Sequence, residues 1–298
     1  MFDDFLERNQ LPIIYLKTAE KWFAPLADTL SEISLKDKNK GILVGINGCQ
    51  GSGKSTMADY LCTILRHRHN INAISLSLDD FYLSRAERLN LAESVHELFK
   101  TRGVPGTHDT DKAIKILQSL KSMKSTPVTL PGFNKAIDDV DKSMDRVLDK
   151  PHPIIIFEGW CMGASPQCQD KLKFSLNDLE KKHDKNGIWR EYINQALGKE
   201  YDSLFSLIDY WVMLKAPSFE CVYQWRWEQE EKLIRKQSQN PNEESLTLDK
   251  DSLKKFISHY QRITEHSLKT LPPKMHQLYE LDEKRQIISQ SQPNNYLL

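Results

Sequence analysis

One short stretch of the chain has the residue types and the spacing that binding of a phosphate chain requires. Its residues are Gly48, Cys49, Gln50, Gly51, Ser52, Gly53, Lys54, Ser55 and Thr56. They fit the pattern G-x-x-x-x-G-K-[ST], whose glycines let backbone N–H groups curl toward phosphate oxygens. We therefore predict an ATP site in which Lys54 reaches the β- and γ-phosphates and Ser55 places its hydroxyl on Mg²⁺. The alternative is a glycine turn before an ordinary helix.

Acidic residues follow two apolar runs, at the points where buried strands would end. Asp79 and Asp80 follow one run, and Glu158 follows the run 154–157. Ligands of open parallel sheets bind beyond the carboxyl ends of the strands, so these acids should face the phosphate loop. We expect Asp79 to accept the proton of an attacking hydroxyl, with Asp80 as the weaker candidate. Glu158 and Asp79 would join Ser55 in holding Mg²⁺, unless the aspartates only cap a helix and the glutamate is solvated.

Two segments rich in Gly and Pro carry polar residues suited to holding a phosphate acceptor. They are 101–109 and 131–135, and loops on a rigid sheet often bind substrate. The predicted substrate-binding residues are Asp80, Tyr82, Arg102, His108, Asp109 and Lys135. Among them, Arg102 and Lys135 can bind an anionic acceptor or the transferring phosphoryl group. The alternative is a pair of surface turns with solvated charges.

A long helix predicted over 218–236 carries Trp225, Arg226 and Trp227. A basic helix that closes over the triphosphate can act as a lid, and we predict that Arg226 stabilises charge in the transition state. The alternative is an amphipathic helix whose aromatic residues pack inward while its arginines face water. The polar stretch 237–250 is predicted to be an exposed loop.

Strands that alternate with helices are predicted to position these residues. The predicted strands cover 42–46, 71–78, 154–157 and 209–214, and the predicted helices cover 10–35, 54–69, 111–121, 218–236 and 251–268. Asp109 or Thr110 can cap the helix that begins at 111. The alternation predicts an α/β fold of the P-loop NTPase type, a doubly wound parallel sheet with helices on both faces plus helical additions. We expect a helical extension over 1–40 and a kinase domain over 41–298, with an insertion at about 165–200 over one edge of the sheet.

The composition sets limits on partners and compartment. Lys plus Arg and Asp plus Glu each number 41 among the 298 residues, so the formal net charge is zero. This charge gives no general attraction to nucleic acid or to an anionic membrane, and we expect neither as a partner. The acidic N-terminus and the lack of a long apolar run predict neither a signal peptide nor a membrane span. The five cysteines are scattered without CxxC spacing, which argues against disulfides and zinc and favours the cytoplasm.

Several blocks of residues together resemble the D-glycerate 3-kinase family and its kinase-like relatives. These belong to the wider group of P-loop kinases with uridine kinase, phosphoribulokinase and pantothenate kinase. The blocks are the phosphate loop 48–56, SLDDFY (77–82), RGVPGTHD (102–109), FEGWCMG (157–163), LIDYW (207–211) and VYQWRW (222–227). The similarity runs in order over nearly the whole chain. The resemblance implies ATP, Mg²⁺ and phosphorylation of D-glycerate to 3-phosphoglycerate, with Asp79 as the base and Glu158 serving the metal.

Two positions depart from that family's pattern. Asn134 stands where the family has an aspartate before Lys135. Val140 stands where an arginine often follows Asp139, although Arg146 lies nearby in the chain. An amide neither accepts a proton nor neutralises a cation as a carboxylate does, so these changes bear on the choice of acceptor.

Several functional hypotheses therefore stay open from the sequence. The first is a kinase for a small, hydroxylated and anionic acceptor, which would act as a monomer or a small homo-oligomer. Pantothenate, a nucleoside or a sugar phosphate are acceptors that the same chemistry could serve. A nucleotide-dependent switch and an ATPase acting on nucleic acid are the rivals from other classes, and the second would need a basic groove.

Overall fold

The computed structural model describes residues 2–123, 127–239 and 249–294. The strands are β1 (Ile42–Gly48), β2 (Ala73–Ser77), β3 (Val128–Leu130), β4 (Phe133–Asn134), β5 (Asp139–Val140), β6 (Arg146–Leu148), β7 (Ile154–Gly159), β8 (Tyr210–Lys215), β9 (Gln277–Leu281) and β10 (Ile287–Ser291). The helices are α1 (Asp3–Arg8), α2 (Tyr15–Trp22), α3 (Ala24–Lys36), α4 (Lys54–His69), α5 (Arg85–Ser94), α6 (Thr110–Lys121), α7 (Gln169–Leu172), α8 (Asp178–His183), α9 (Ile188–Leu197), α10 (Glu200–Phe205), α11 (Phe219–Gln239) and α12 (Lys250–Thr270).

The main sheet, within these ranges, has six strands in the order β10-β9-β8-β1-β7-β2. Strands β9, β8, β1, β7 and β2 run parallel, and β10 pairs antiparallel with β9. Two small antiparallel pairs, β3 with β6 and β4 with β5, are separate from this sheet. The predicted parallel α/β fold of the P-loop type is thus confirmed, with an antiparallel edge strand that the sequence did not reveal.

Alternating residues along the central strands divide the core between the two faces of the sheet. In β1, Val44 and Ile46 belong to the hydrophobic cluster that contains α3, α4 and the start of α11. Leu43 belongs instead to the cluster that contains α6, α9 and α10. In β7, Ile156 and Phe157 divide in the same way. A strand buried on both faces requires this alternation, and it explains why the helices form two layers.

The N-terminal segment folds as α1, α2 and α3 rather than as the continuous helix predicted over 10–35. Helix α2 ends at Trp22, and α3 begins at Ala24 with Pro25 in its first turn. Proline has no backbone N–H with which to continue an existing helix, but it fits the first turn of a new one. These helices share one hydrophobic cluster with α4 and therefore brace the element that follows the phosphate loop.

The segment 165–200 is helical and packs against a face of the sheet, which corrects the expectation that it covers an edge. Helices α9 and α10 contribute Trp189, Ile193 and Leu204 to the cluster that contains α6. The many Lys, Asp and Asn residues of this segment suggested a solvated insertion, but these apolar positions recur on the buried side of short helices. The layer thus supplies the support beneath the loop at 101–109.

The other predicted elements agree closely with the structure. Helix α4 spans the predicted 54–69, and α6, α11 and α12 begin within one residue of their predicted starts. The loop predicted over 237–250 is shorter than expected, because α11 continues through residues 237–239 and α12 begins at Lys250. Residues 240–248 lie outside the described ranges. Among the described residues, none of the helices combines the length and the apolar composition that a membrane span requires.

His259 in α12 is a buried titratable group within the helical layer. Its ring meets that of Trp189 edge to face at 5.7 Å, and its Nδ1 lies 3.1 Å from the carbonyl oxygens of Lys255 and Phe256. Nε2 has no hydrogen-bond partner in the part of the chain that the structure describes. Burial lowers the pKa of His259 to about 4, so the imidazole is neutral at pH 7.

Stability should therefore fall on acidification, with a contribution from His259. Its pKa is about 6.5 in the unfolded chain and about 4 in the folded chain. Between these two pH values the unfolded chain therefore binds more protons than the folded chain. We expect the free energy of unfolding to drop between pH 7.5 and pH 5, with about 2 kcal/mol of the loss from this residue. Urea unfolding of the wild type and His259→Leu at both pH values measures this. A variant that loses as much stability as the wild type would contradict the assignment.

Candidate active site

The register of three neighbouring strands brings the phosphate loop and the predicted acids to one edge of the sheet. Glu158 in β7 lies opposite Ile46 in β1 on one side and opposite Ser77 in β2 on the other. The phosphate loop begins two residues after Ile46, and Asp79 comes two residues after Ser77. These groups therefore lie at the carboxyl ends of parallel strands, where ligands of such sheets bind.

The phosphate loop joins β1 to α4 and is accessible at its rim. Helix α4 begins at Lys54, and the preceding Gly53 has a φ of 92°, a conformation that glycine adopts without strain. A Cβ atom at Gly53 would meet no heavy atom within 4 Å, so a ligand can approach this backbone closely. The unpaired N–H groups and the positive dipole end at the start of α4 suit an anion.

Glu158 connects the lysine and the serine of the loop. Its Oε1 accepts a hydrogen bond from the Ser55 hydroxyl at 2.7 Å, and its Oε2 lies 3.7 Å from Lys54 Nζ. Burial alone would lower the pKa of Lys54, but the charges of Glu158 and then Asp79 outweigh burial and raise it. Lys54 is therefore a fixed positive charge at the base of the loop.

The Glu158 carboxylate also has capacity for a metal ion. Its Oε2 is buried and, within the described residues, accepts no hydrogen bond, although Lys54 Nζ lies 3.7 Å from it. Carboxylate and hydroxyl oxygens are ligands of Mg²⁺ in nucleotide sites, where phosphates fill further positions. No cluster of three or more His, Cys, Asp or Glu side chains in the described part of the chain could hold an ion. Glu158 and Ser55 therefore fit a magnesium ion that binds together with the nucleotide.

Asp79 has both of its carboxylate oxygens bonded. Oδ1 accepts a hydrogen bond from the Tyr82 hydroxyl at 2.8 Å, and Oδ2 accepts one from Lys135 Nζ at 2.6 Å. Burial alone would raise the pKa of this carboxyl, but the charges of Lys135 and Lys54 and the two hydrogen bonds lower it to about 2. Of the two acids predicted to hold magnesium, Glu158 is the one with an oxygen that accepts no hydrogen bond from the described residues.

Asp80 forms a hydrogen bond with the backbone at the end of β2. Its Oδ2 accepts a hydrogen bond from the Ser77 N–H at 3.1 Å, and Ser77 Oγ accepts one from the Asp79 N–H. Together they form a capping box for the short 3₁₀ helix Leu78–Phe81. Burial raises the pKa of Asp80. The N-cap is therefore Ser77, and Asp80 is its partner in the capping box, so neither aspartate is the N-cap that the alternative interpretation predicted.

Tyr82 and His108 form a wall beside Asp79. Their rings stack with centroids 4.6 Å apart. The Tyr201 hydroxyl accepts a hydrogen bond from the Gly106 N–H and lies 2.5 Å from His108 Nδ1. Burial lowers the pKa of His108 to about 4, so its ring is neutral at pH 7. The other ring nitrogen, Nε2, is buried without a hydrogen-bond partner among the described residues.

A cavity of about 260 Å³ brings three predicted substrate-binding residues together, because Asp80, Tyr82 and Asp109 all line it. Lys112 lines the same cavity. Asp109 also caps α6, since its Oδ1 accepts a hydrogen bond from the Lys112 N–H at 2.9 Å. This cap was one of the two that the sequence predicted.

Arg102, which was predicted to bind an anion, is paired within the protein. It forms an ion pair with Asp138, and its guanidinium lies 5.5 Å from the centre of the Phe133 ring. Asp138 Oδ2 also lies 3.0 Å from Nη2 of the buried Arg88. Neither Asp138 nor Arg88 was predicted as a site residue. Asp138 stands 36 residues from Arg102 and 50 from Arg88 in the chain, so no local pattern could have linked them.

Helix α11 is packed on the phosphate loop at its start. Trp225 is buried and donates its indole N–H to the Glu283 carbonyl at 2.7 Å. A Cβ atom at Gly51 would come within 2.7 Å of Trp225 Cβ. Arg226, predicted as a lid arginine, forms an ion pair with the buried Glu230 one turn further along. The first turns of α11 therefore brace the loop, and Glu230 holds the Arg226 guanidinium in this arrangement.

Alanine at Gly51 should disturb this loop more than alanine at Gly53. Both glycines have a positive φ, 79° and 92°, which costs an alanine about 1 kcal/mol. At Gly51 the new methyl group would also press on Trp225. We expect Gly51→Ala to lower the free energy of unfolding in urea by about 3 kcal/mol and Gly53→Ala by about 1 kcal/mol. Equal losses would contradict the close packing of Trp225 on the loop.

Three comparisons place the chain among known proteins. No family model matches the sequence. The chain is 30% identical over 249 residues to the uncharacterized kinase mug58 of Schizosaccharomyces pombe, a match that covers 81% of this chain and 86% of that protein. It is 28% identical over 201 residues to the chloroplastic D-glycerate 3-kinase of Arabidopsis thaliana, covering 63% of this chain and 41% of the plant protein.

A solved structure agrees with these matches at the level of the fold. The D-glycerate 3-kinase from Cryptococcus neoformans superposes with a TM-score of 0.76 at 23% identity, over 90% of this chain and 97% of that one. The resemblance drawn from the motifs is thus confirmed. Since the match to the fission-yeast kinase extends over most of both proteins, this chain belongs to the family of P-loop kinases that includes the D-glycerate 3-kinases.

Proposed function

We propose that this protein transfers the γ-phosphoryl group of ATP to a hydroxyl of a small anionic acceptor, with D-glycerate as the first candidate and 3-phosphoglycerate as its product. The arrangement of Glu158 and Asp79 carries the proposal. Glu158 bonds the loop hydroxyl of Ser55 and has an oxygen left for a metal ion. Asp79 lies at the neighbouring strand tip, close enough to Lys54 for each to shift the pKa of the other.

The residues divide the reaction between phosphate binding and proton transfer. The backbone of the phosphate loop and Lys54 would bind the β- and γ-phosphates, and Ser55 and Glu158 would hold Mg²⁺. The ion, when bound, neutralises charge on the phosphate oxygens. The acceptor oxygen forms a bond to the γ-phosphorus while the bond from that phosphorus to ADP breaks, and its electron pair leaves with ADP. The hydroxyl proton goes to the carboxylate of Asp79.

Residues around Asp79 favour an acceptor that carries negative charge. Lys135 bonds Asp79 directly, and the positive charge of Arg146 acts on the neighbouring Asp80. His108 adds a neutral ring nitrogen that is buried without a partner in the described structure. A carboxylate or phosphate beside the reacting hydroxyl would be bound by the two cations, Lys135 and Arg146. The names of two relatives support D-glycerate in particular.

The two departures from the family pattern leave this proposal intact. Asn134 donates a side-chain hydrogen bond to Asp141 at 3.1 Å and accepts one from the Ala136 N–H at 3.0 Å, so its amide braces the hairpin of β4 and β5. The side chain of Val140 is exposed at 47%. Arg146 lies opposite Leu130 in the pair of β6 and β3. Its guanidinium can take the place of the arginine that the family often has at the position of Val140.

A panel of hydroxylated metabolites tests the proposal directly. We would incubate the purified protein with ATP and Mg²⁺ and score ADP release for D-glycerate, pantothenate, a nucleoside and a sugar phosphate. We expect D-glycerate to give the largest increase in ADP release and 3-phosphoglycerate to appear as the product. Stimulation by another acceptor would keep the kinase and change its substrate. Nucleotide binding without stimulation by any acceptor would favour the switch.

Replacement of Asp79 should remove catalysis but not nucleotide binding. Because an asparagine cannot take the hydroxyl proton, we expect Asp79→Asn to lower kcat by about 100-fold or more while the Kd for ATP stays within about threefold. Asp80→Asn is the matched control, since an amide oxygen can still accept the Ser77 N–H. If Asp80→Asn lost more activity than Asp79→Asn, the base would be the other aspartate.

Replacement of Glu158 should change the demand for magnesium. Glutamine keeps the volume and an oxygen for the Ser55 hydroxyl, but it removes the negative charge that would hold the ion. We expect Glu158→Gln to raise the Mg²⁺ concentration for half-maximal rate by about tenfold. A titration of the rate with MgCl₂ at fixed ATP measures this. An unchanged midpoint would remove Glu158 from the metal site.

A further inference from the structure

Lys135 occupies the carboxylate that the proposed reaction needs. Its Nζ lies 2.6 Å from Asp79 Oδ2, and the Tyr82 hydroxyl takes Oδ1 at 2.8 Å. A hydroxyl group that gives its proton to Asp79 must first make a hydrogen bond to one of these oxygens. The ammonium group of Lys135 therefore competes with the acceptor hydroxyl for Oδ2 of Asp79. With Lys135 in this position, the acceptor hydroxyl, or a water molecule, has poor access to the base.

The backbone on either side of Lys135 is held in place by neighbouring residues, whereas the Lys135 side chain itself is mostly exposed. On one side, the Phe133 ring packs edge to face on Tyr82 at 5.1 Å. On the other side, Asp138 pairs with the buried Arg88, and Asp139 Oδ1 accepts a hydrogen bond from a backbone N–H of α5 at 2.8 Å. The hairpin of β4 and β5 therefore holds its place when the lysine side chain reorients.

The contact between Lys135 and Asp79 can be exchanged at low cost. The side chain of Lys135 is 60% exposed, whereas that of Asp79 is 26% exposed. Water solvates the departing ammonium group, and Asp79 keeps the charge of Lys54 and the hydrogen bond from Tyr82. A stronger anion that binds beside Asp79 can therefore draw the ammonium away without disturbing the fold.

We propose that Lys135 senses the charge of the acceptor, by leaving Asp79 for a carboxylate or phosphate on the acceptor and thereby opening the base to the hydroxyl. This role rests on the proposed kinase function and adds that the negative charge of the acceptor is what frees the base. An acceptor without negative charge leaves the lysine on Asp79 and is phosphorylated slowly.

The same contact limits wasteful hydrolysis of ATP. In hydrolysis, the water oxygen forms the bond to the γ-phosphorus, the bond to ADP breaks with its electron pair on ADP, and the water proton goes to Asp79. With no acceptor present, Lys135 stays on that carboxylate and water is not activated. The acceptor that releases the base is then also the molecule placed to use it.

Lys135→Met tests this with a pair of probes that differ in charge. D-glycerate and glycerol share a three-carbon skeleton, and glycerol has a CH₂OH group where glycerate has its carboxylate. We would measure kcat/KM for both probes, and ATP hydrolysis without either. We expect the preference for D-glycerate over glycerol to fall by about tenfold or more, the worth of one charge-assisted hydrogen bond. Hydrolysis without acceptor should rise by about fivefold.

Two control variants separate charge at this position from charge elsewhere. Lys135→Arg keeps a cation and should retain both the preference and the slow hydrolysis. Lys115→Met removes an exposed lysine of α6 that does not line the cavity with Asp80, Tyr82 and Asp109, and it should behave as the wild type. Thermal unfolding of all variants checks the fold, which an exposed side chain should not perturb.

The results distinguish failure of the sensor from failure of the proposed function. If the wild type phosphorylates D-glycerate and Lys135→Met keeps both its preference and its slow hydrolysis, the sensor is wrong and the kinase stands. If the wild type phosphorylates none of the acceptors in the panel, the proposed function itself is wrong. A preference that falls together with faster hydrolysis, in Lys135→Met alone, supports the sensor.

Discussion

The parallel register of β1, β7 and β2 is the constraint on which the site depends. Neighbouring strands lie about 4.8 Å apart, so a side chain at the end of the middle strand reaches the turns that follow both of its neighbours. Glu158 has that position, opposite Ile46 and Ser77. A slip of one residue in β7 would turn its carboxylate to the other face of the sheet. The packing of the buried apolar residues on both faces opposes that slip. The hydrophobic core therefore determines where the Glu158 carboxylate lies.

The charges at these strand ends are tolerated because each is paired. The side chains of Glu158 and Lys54 are only 7% and 18% exposed, and a carboxylate at that depth without a cation would be strongly destabilising. Asp79 lies between the charges of Lys54 and Lys135, which explains its low pKa. The protein thus holds positive charge on both sides of the place where a phosphoryl group would be transferred, and a bound triphosphate would compete with the two carboxylates for it.

The sequence predicted the parts of the site that are local in the chain. The phosphate loop, the acids after two strands and the helix over 54–69 are each defined by adjacent residues, and the structure has the two strands and the helix where the patterns indicated them. The division of roles between Asp79 and Asp80 was not predictable in the same way. It depends on which carboxylate turns back to the Ser77 N–H, and either could do so on local grounds.

The contacts that the sequence did not reveal join residues far apart in the chain. Tyr201 fixes His108 from 93 residues away, and Trp225 packs on Gly51 from another layer of the fold. The prediction that residues 165–200 cover an edge of the sheet was wrong, because it followed the charged composition of the segment and not the apolar positions of α9 and α10. Periodicity identifies which side of an element is buried, but only the fold determines what covers it.

The most direct test of the account is isothermal titration calorimetry of the folded wild type with ATP, with and without Mg²⁺. The strand-end arrangement predicts a single nucleotide per chain, tighter binding when Mg²⁺ is present, and an affinity about tenfold or more weaker in Lys54→Met. Circular dichroism on the same samples establishes that the protein is folded. A folded protein that gives no binding heat with magnesium and nucleotide would contradict the central claim.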